Sequence, residues 1–158
     1  MVKLILNLNP EPVYKLDALQ ENSYPVLLEI WESSVRATHH FLRDGDIDIF
    51  KKTIRENEIF SHVALTCVRD THDNIVGFMG TSGDSLEMLF ISPSVMKQGV
   101  GKMLLLHAIN NLGVTKVEVN EQNINATKFY EHFGFNVISK SDLDGMGMPY
   151  PLLHMERK

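Results

Sequence analysis

The sequence predicts an α/β fold: a mixed, mostly antiparallel sheet of about six or seven strands flanked by about four helices. Three observations predict it. Short apolar runs separated by Thr-His-Asp-Asn and Gly-Asp turns fill the middle of the chain, as in an antiparallel meander. Between Leu86 and Val119 the order is strand, glycine turn, long helix, strand, which makes a βαβ unit with parallel strands. Two stretches with helical periodicity precede the meander.

Each element has its local reason. Val2, Leu4, Leu6 and Leu8 alternate as in a half-buried strand, which Pro10 and Pro12 end. Ser23-Tyr24-Pro25 starts a helix with Pro25 in its first turn, and Leu27, Ile30, Trp31, Ser34 and Val35 recur at helical spacing. An Asp44-Gly45-Asp46 corner leads to a second short helix carrying Ile47, Phe50 and Ile54, with Lys51, Lys52 and Arg55 facing out. Strands are expected over His62–Arg69, Ile75–Thr81 and Leu86–Ile91, the last halted by Pro93. The helix Gly99–Leu112 turns Val100, Met103, Leu104, His107 and Ala108 to one side and stops at Gly113. A strand over Val114–Val119, a helix over Asn125–Phe133 closed by Gly134, and strands over Phe135–Ser139 and Leu152–Met155 complete the chain.

Composition narrows the class of function. The 158 residues fit one domain spanning 1–158 and are enough to bury a core without metal or disulfide staples. The net charge of −5 argues against a nucleic-acid binder working through a basic face. No apolar run approaches the roughly 20 residues that span a bilayer, so no membrane partner is expected. The lone cysteine, Cys67, excludes an intrachain disulfide and points to a reducing, cytoplasmic compartment. The seven histidines show no metal-binding spacing, so no metal is expected.

Chemistry enters at Gln98-Gly99-Val100-Gly101-Lys102, where a strand and short loop pass into the long helix. Helix N-termini present unpaired N–H groups and partial positive charge, and glycines let an anion approach the backbone. Lys97 and Lys102 add local positive charge. The sequence also fits a plain glycine-containing helix start. It does not fit a Walker A loop, which needs glycine at Met96 and Ser or Thr at Met103, nor a dinucleotide fingerprint, which wants a small residue at Leu104.

The strand Leu89-Phe90-Ile91-Ser92-Pro93, followed by Gly99-Val100-Gly101 opening a helix, resembles the acetyl-coenzyme A motif of the GNAT superfamily of N-acetyltransferases. Asn123, Ala126, Phe129, Tyr130, Gly134 and Phe135 are similar to the second half of that cofactor domain. Thr38–Leu42 and Pro149-Tyr150-Pro151-Leu152-Leu153 further resemble its small bacterial YjaB-type members. The chain departs from the pattern at Met96, where the family usually carries Gln or Arg.

The resemblance implies a GNAT-like fold and direct attack of a primary amine on the thioester of acetyl-CoA. The acceptor would be a protein lysine, an N-terminus or a small amine, and the enzyme a monomer or homodimer. The resemblance makes Tyr130 the donor of a proton to the leaving sulfur. Glu87, expected partly buried among Leu86, Met88 and Leu89, becomes the candidate general base. Phe90 or Ile91 would supply a backbone N–H to the carbonyl oxygen. Lys97, Gln98, Gly99, Val100, Gly101, Lys102, Asn123 and Ala126 would hold the cofactor. One of His39 and His40 and the rim residue Tyr150 would line the acceptor site, with His39 the choice. Cys67, mid-strand, reads as core, which argues for direct transfer and against an acetyl-cysteine intermediate. A second reading keeps acetyl-CoA binding but makes the protein a sensor module with little or no catalysis.

Overall fold

The computed structural model describes residues 13–158, so the strand expected over Val2–Leu8 lies outside them. Among the described residues seven strands form one sheet in the order β1-β2-β3-β4-β5-β7-β6. They are β1 (Lys15–Ala18), β2 (Ala64–Arg69), β3 (Ile75–Ser82), β4 (Ser85–Ile91), β5 (Lys116–Asn120), β6 (Phe135–Ser141) and β7 (Leu152–Arg157). Among the described residues the α-helices are α1 (Tyr24–Thr38), α2 (Asp46–Glu56), α3 (Val100–Leu112) and α4 (Ile124–His132). Every adjacent pair of strands is antiparallel except β4 with β5.

Two differences from expectation stand out. β1 was not foreseen, because Lys-Leu-Asp-Ala at a sheet edge is only four residues long and largely exposed, too short a run for its alternation to signal a strand. The strand expected from His62 starts at Ala64, because Ile59–His62 winds into a 3₁₀ turn that buries Phe60.

The sheet separates two apolar cores, and the period-2 alternation of its central strands feeds both. On β2, Cys67 packs with the α1 side and Val68 with the α3 side; on β3, Phe78 and Met79 divide the same way. The α1 face holds Leu27, Ile30, Trp31 and Val35, four of the five residues whose spacing predicted it. The α3 face holds Val100, Leu104, Leu105 and Ala108 against Tyr130, Phe135 and Met155. Cys67 is fully buried, and burial pushes its thiol up, so it is core and no nucleophile.

The feature that makes a site is the junction of β4 and β5. Their parallel pairing is confined to Ser85↔Lys116 and Leu86↔Val117. On the other side of β4, the β3 register shifts between Gly80↔Met88 and Thr81↔Leu86, leaving Glu87 as an extra, bulged residue. Past that bulge the two strands part. β5 continues with β7, and a gap opens at the C-terminal ends of both parallel strands, where α/β folds commonly bind ligands.

Candidate active site

Three cavities converge on this gap. A cleft of about 440 Å³ runs along the start of α3 and the side of α4. A wedge of about 250 Å³ lies between β4 and β5. A pocket of about 280 Å³ opens on the α1–α2 side. Phe90 and His39 line all three, so the cavities meet at these two side chains.

The cleft is built largely from backbone. Gly99 has φ +86°, which favours glycine, and Lys97 also turns through the left-handed region at φ +63°. No side chain caps α3, so the N–H groups of its first turn are left to the cleft. A Cβ on Gly99 would meet nothing within 4 Å, and one on Gly101 would meet only ordinary contacts, the nearest at 3.6 Å from Phe129. The protein itself does not require the space above Gly101. Lys97 and Lys102 line the same cleft and give it positive charge. An uncapped helix start, open glycines and two lysines fit the pyrophosphate of coenzyme A. Ile91, Val100, Ala126 and Phe129 provide an apolar wall beyond it.

Of the residues expected to hold the cofactor, Gln98 is the one that does not line the cleft. Its side chain turns away, accepting a hydrogen bond from the Tyr14 hydroxyl and donating to the Ser94 carbonyl at 3.5 Å. Asn123 lines the cleft and the wedge, but its Oδ1 caps α4 by accepting from the Ala126 N–H at 3.2 Å. Its carbonyl side is therefore engaged in fixing the helix that carries Tyr130.

The strand chemistry resolves the choice between Phe90 and Ile91. The Ser92 N–H donates to Val76 across the ladder at 2.8 Å. Antiparallel alternation then commits the N–H groups of Phe90 and Met88 to β3 as well. The N–H groups of Ile91 and Leu89 face the other way, toward the gap. Phe90 thus contributes its side chain to the site and not its amide.

Tyr130 lines both the cleft and the wedge. Its ring packs edge-on against Phe129 and Phe135 at centroid distances of 5.4 and 5.9 Å. Burial pushes its phenol above the usual tyrosine range, so it carries its proton throughout neutral pH. Glu87 reaches the wedge from the β4 bulge, but it is exposed and not half-buried as expected. The apolar burial invoked to make it a base is absent.

The third pocket is made of side chains. Trp31, Val35, Leu42, Phe50, Phe90 and Leu152 form apolar walls, Asn120 sits where β5 ends, and Asp144 brings a carboxylate. The loop carrying Asp144 is held by that residue's own Oδ1, which accepts from the N–H groups of Met146 and Met148 at 2.9 Å each. Tyr150 is not a rim residue. It is buried, with its hydroxyl donating to Asp46 and accepting from the Arg43 N–H at 2.9 Å, while its ring forms the wall. Of the two adjacent histidines, His39 faces the cavities and His40 is exposed. Sequence reasoning did not assign Ser34, Thr38 or Asn125 to the cleft, nor Trp31, Phe50 and Asp144 to the pocket. Buried Ser34 on an otherwise apolar helix face was the available signal.

Among the described residues there is no group of three metal-ligating side chains, and no helix is long and apolar enough to cross a membrane.

Comparison with known proteins shows the family and the fold. Residues 36–156 match a family model described as an acetyltransferase (GNAT) domain. The chain is 38% identical over 131 residues to the peptidyl-lysine N-acetyltransferase YjaB of Salmonella typhimurium, covering 82% of this chain and 88% of that protein. The solution structure of apo-form YjaB from Escherichia coli superposes with a TM-score of 0.81 at 34% identity, covering 92% of this chain and 97% of that one. The PaiA N-acetyltransferase of Thermoplasma acidophilum, solved in complex with coenzyme A, shares the fold with a TM-score of 0.70 at 21% identity, over 92% of this chain and 98% of that one.

Proposed function

The chain belongs to the GNAT family and is an N-acetyltransferase acting on primary amines, and we propose that its acceptor is the side-chain amine of a lysine in a protein. The single observation that carries this reading is the shape and chemistry of the third pocket. Its apolar and aromatic walls suit the four-carbon stem of a lysine, and Asp144 gives it a negative charge. The two YjaB relatives are named peptidyl-lysine N-acetyltransferases, which supports the same acceptor.

In this reading acetyl-CoA is the acyl donor. Its pyrophosphate lies against the first turn of α3 and the charges of Lys97 and Lys102, and its thioester reaches the gap between β4 and β5. The Ile91 or Leu89 N–H stabilises the carbonyl oxygen as charge develops on it. Tyr130 gives its proton to the departing sulfur, a role suited to a phenol that burial keeps protonated. No covalent enzyme intermediate is involved. The protein works in the cytoplasm, where acetyl-CoA and protein lysines are both at hand.

The test is incubation with acetyl-CoA and a panel of lysine peptides, free lysine and polyamines, following release of free thiol and gain of acetyl mass. Acetyl-lysine in peptides, faster than any small-amine product, is the expected result. Faster acetylation of a small amine would displace the protein-lysine reading. Thermal stabilisation by acetyl-CoA without turnover on any amine would favour a binding module instead.

A further inference from the structure

One side chain lies where all three cavities meet and can change protonation: His39, at the C-terminal end of α1. Its hydrogen bonding fixes which ring nitrogen is free. The Thr38 hydroxyl donates its only hydrogen to the Ser34 carbonyl at 2.7 Å. The same oxygen lies 2.8 Å from His39 Nδ1, toward which it has no hydrogen left to give. It must therefore accept, so Nδ1 carries the ring hydrogen and Nε2 keeps its lone pair. We propose that His39 is the base of the transfer, its Nε2 taking the proton that the attacking amine sheds as the new C–N bond forms. This rests on the amine-acetylation reading.

The groups around the ring are consistent with a neutral acceptor. His40 adjoins it on the chain, Glu87 and Glu118 border the wedge, and Tyr130 borders the wedge and the cleft. Lys97 and Lys102 line the cleft, and Asp144 lines the acceptor pocket. Burial, with the neighbouring His40 ring, holds His39 down at about 4, so the imidazole is uncharged at neutral pH. Such a weak base does not strip a lysine ammonium, whose ordinary pKa is about 10.4. It suits a nitrogen that becomes far more acidic once its lone pair enters a bond to carbon.

The proton count closes. An uncharged amine drawn from solution forms the C–N bond while the C–S bond breaks. The sulfur's electron pair takes the Tyr130 proton, and the nitrogen's surplus proton goes to Nε2. Return of that proton from the imidazolium to the phenolate, directly or through water, restores both groups. The net change is amine plus thioester giving amide plus thiol.

The experiment uses the full chain, acetyl-CoA and the best lysine peptide of the panel. His39→Gln is expected to lower kcat by roughly 10²–10⁴-fold, while acetyl-CoA still raises Tm. In His39→Gly, imidazole added to the buffer is expected to restore at least about ten-fold of the lost rate, a response that a packing role would not give. Thr38→Val, which removes the acceptor for Nδ1–H, is expected to cost about ten-fold, and Thr38→Ser to recover it. A folded His39→Gln variant within about two-fold of the wild-type kcat would overturn the proposal. So would loss of the rate in Glu87→Gln together with a His39→Gly variant that imidazole leaves unchanged. If the wild-type protein acetylates no amine at all, the acetyltransferase reading fails first and the base falls with it.

Discussion

The cleft along α3 and α4 and the pocket beside α1 and α2 share Phe90 and His39, yet they are built in opposite ways. The cleft is lined mostly by two short stretches of chain, the end of β4 with the glycine loop and the start of α3, and one side of α4, with Ser34, Thr38 and His39 added from α1. Its polar features are chiefly backbone N–H groups and open glycines, with the charges of Lys97 and Lys102 beside them. The pocket is assembled from stretches far apart in sequence, from Trp31 to Leu152, and its recognition elements are side chains held by other side chains. Tyr150 shows the dependence, since its ring wall is fixed by Asp46 and Arg43 more than 100 residues away in the chain. A backbone site tolerates almost any neighbours, provided the glycines remain. A side-chain site can be retuned residue by residue, which suits the part of the enzyme that must choose among amines.

Four substitutions probe this contrast, in order of expected effect. Tyr130→Phe keeps the ring packing and removes the proton, so kcat should fall by roughly 10²–10⁴-fold with acetyl-CoA affinity nearly unchanged by calorimetry. Tyr150→Phe leaves buried Asp46 without its main donor and should cost about 1–3 kcal/mol in denaturant unfolding, with acetyl-CoA affinity again unchanged. Gly101→Ala should split stability from binding. The Cβ fits at 3.6 Å from Phe129 and helix propensity improves, so stability rises by up to about 1 kcal/mol. Acetyl-CoA affinity should nonetheless fall, because the methyl group fills the space kept for phosphate oxygens. Glu32→Gln, where α1 meets α2 and Lys51 and Arg36 pair with the carboxylate, should change stability by about 0.5–1 kcal/mol and neither site.

The pocket side also carries a pH signature. The Tyr150 hydroxyl, and then Arg43, hold the Asp46 carboxyl below its ordinary value of 3.8. A lowered folded-state value means that the ionised form stabilises the fold. That contribution is complete above about pH 4 to 5 and is lost as pH falls through the lowered value. Acid unfolding of Asp46→Asn should therefore show a shallower loss of stability below about pH 4 than the parent protein.

How far the sequence could be read follows the same division. The helix faces, the meander, the βαβ unit and the glycine loop all rest on local periodicity or on turn chemistry, and each appears close to its expected bounds. Lys97 and Gly99 lie in one short loop and Tyr130 in a second short block, so their positions beside the cleft follow from local sequence. What escaped depends on partners distant in the chain. Gln98 turns to Tyr14, the bulge at Glu87 exists only against β3, and Tyr150 is buried because α2 brings Asp46 beneath it. Asn123 was legible as an N-cap residue, but the helix was expected to begin at Asn125, which hid the cap. The parity of β4 that excludes the Phe90 amide could not be known before the register was fixed.

In the proposed reaction the two unlike cavities open onto one point, where a lysine amine in the pocket faces a thioester in the cleft. A lysine peptide whose side-chain nitrogen is joined to the sulfur of coenzyme A through an acetyl bridge tests this directly. Joining two properly spaced ligands should make it bind at least about 10²-fold more tightly than coenzyme A alone by isothermal calorimetry. Affinity equal to that of coenzyme A, with no contribution from the peptide half, would contradict the convergence of the two sites.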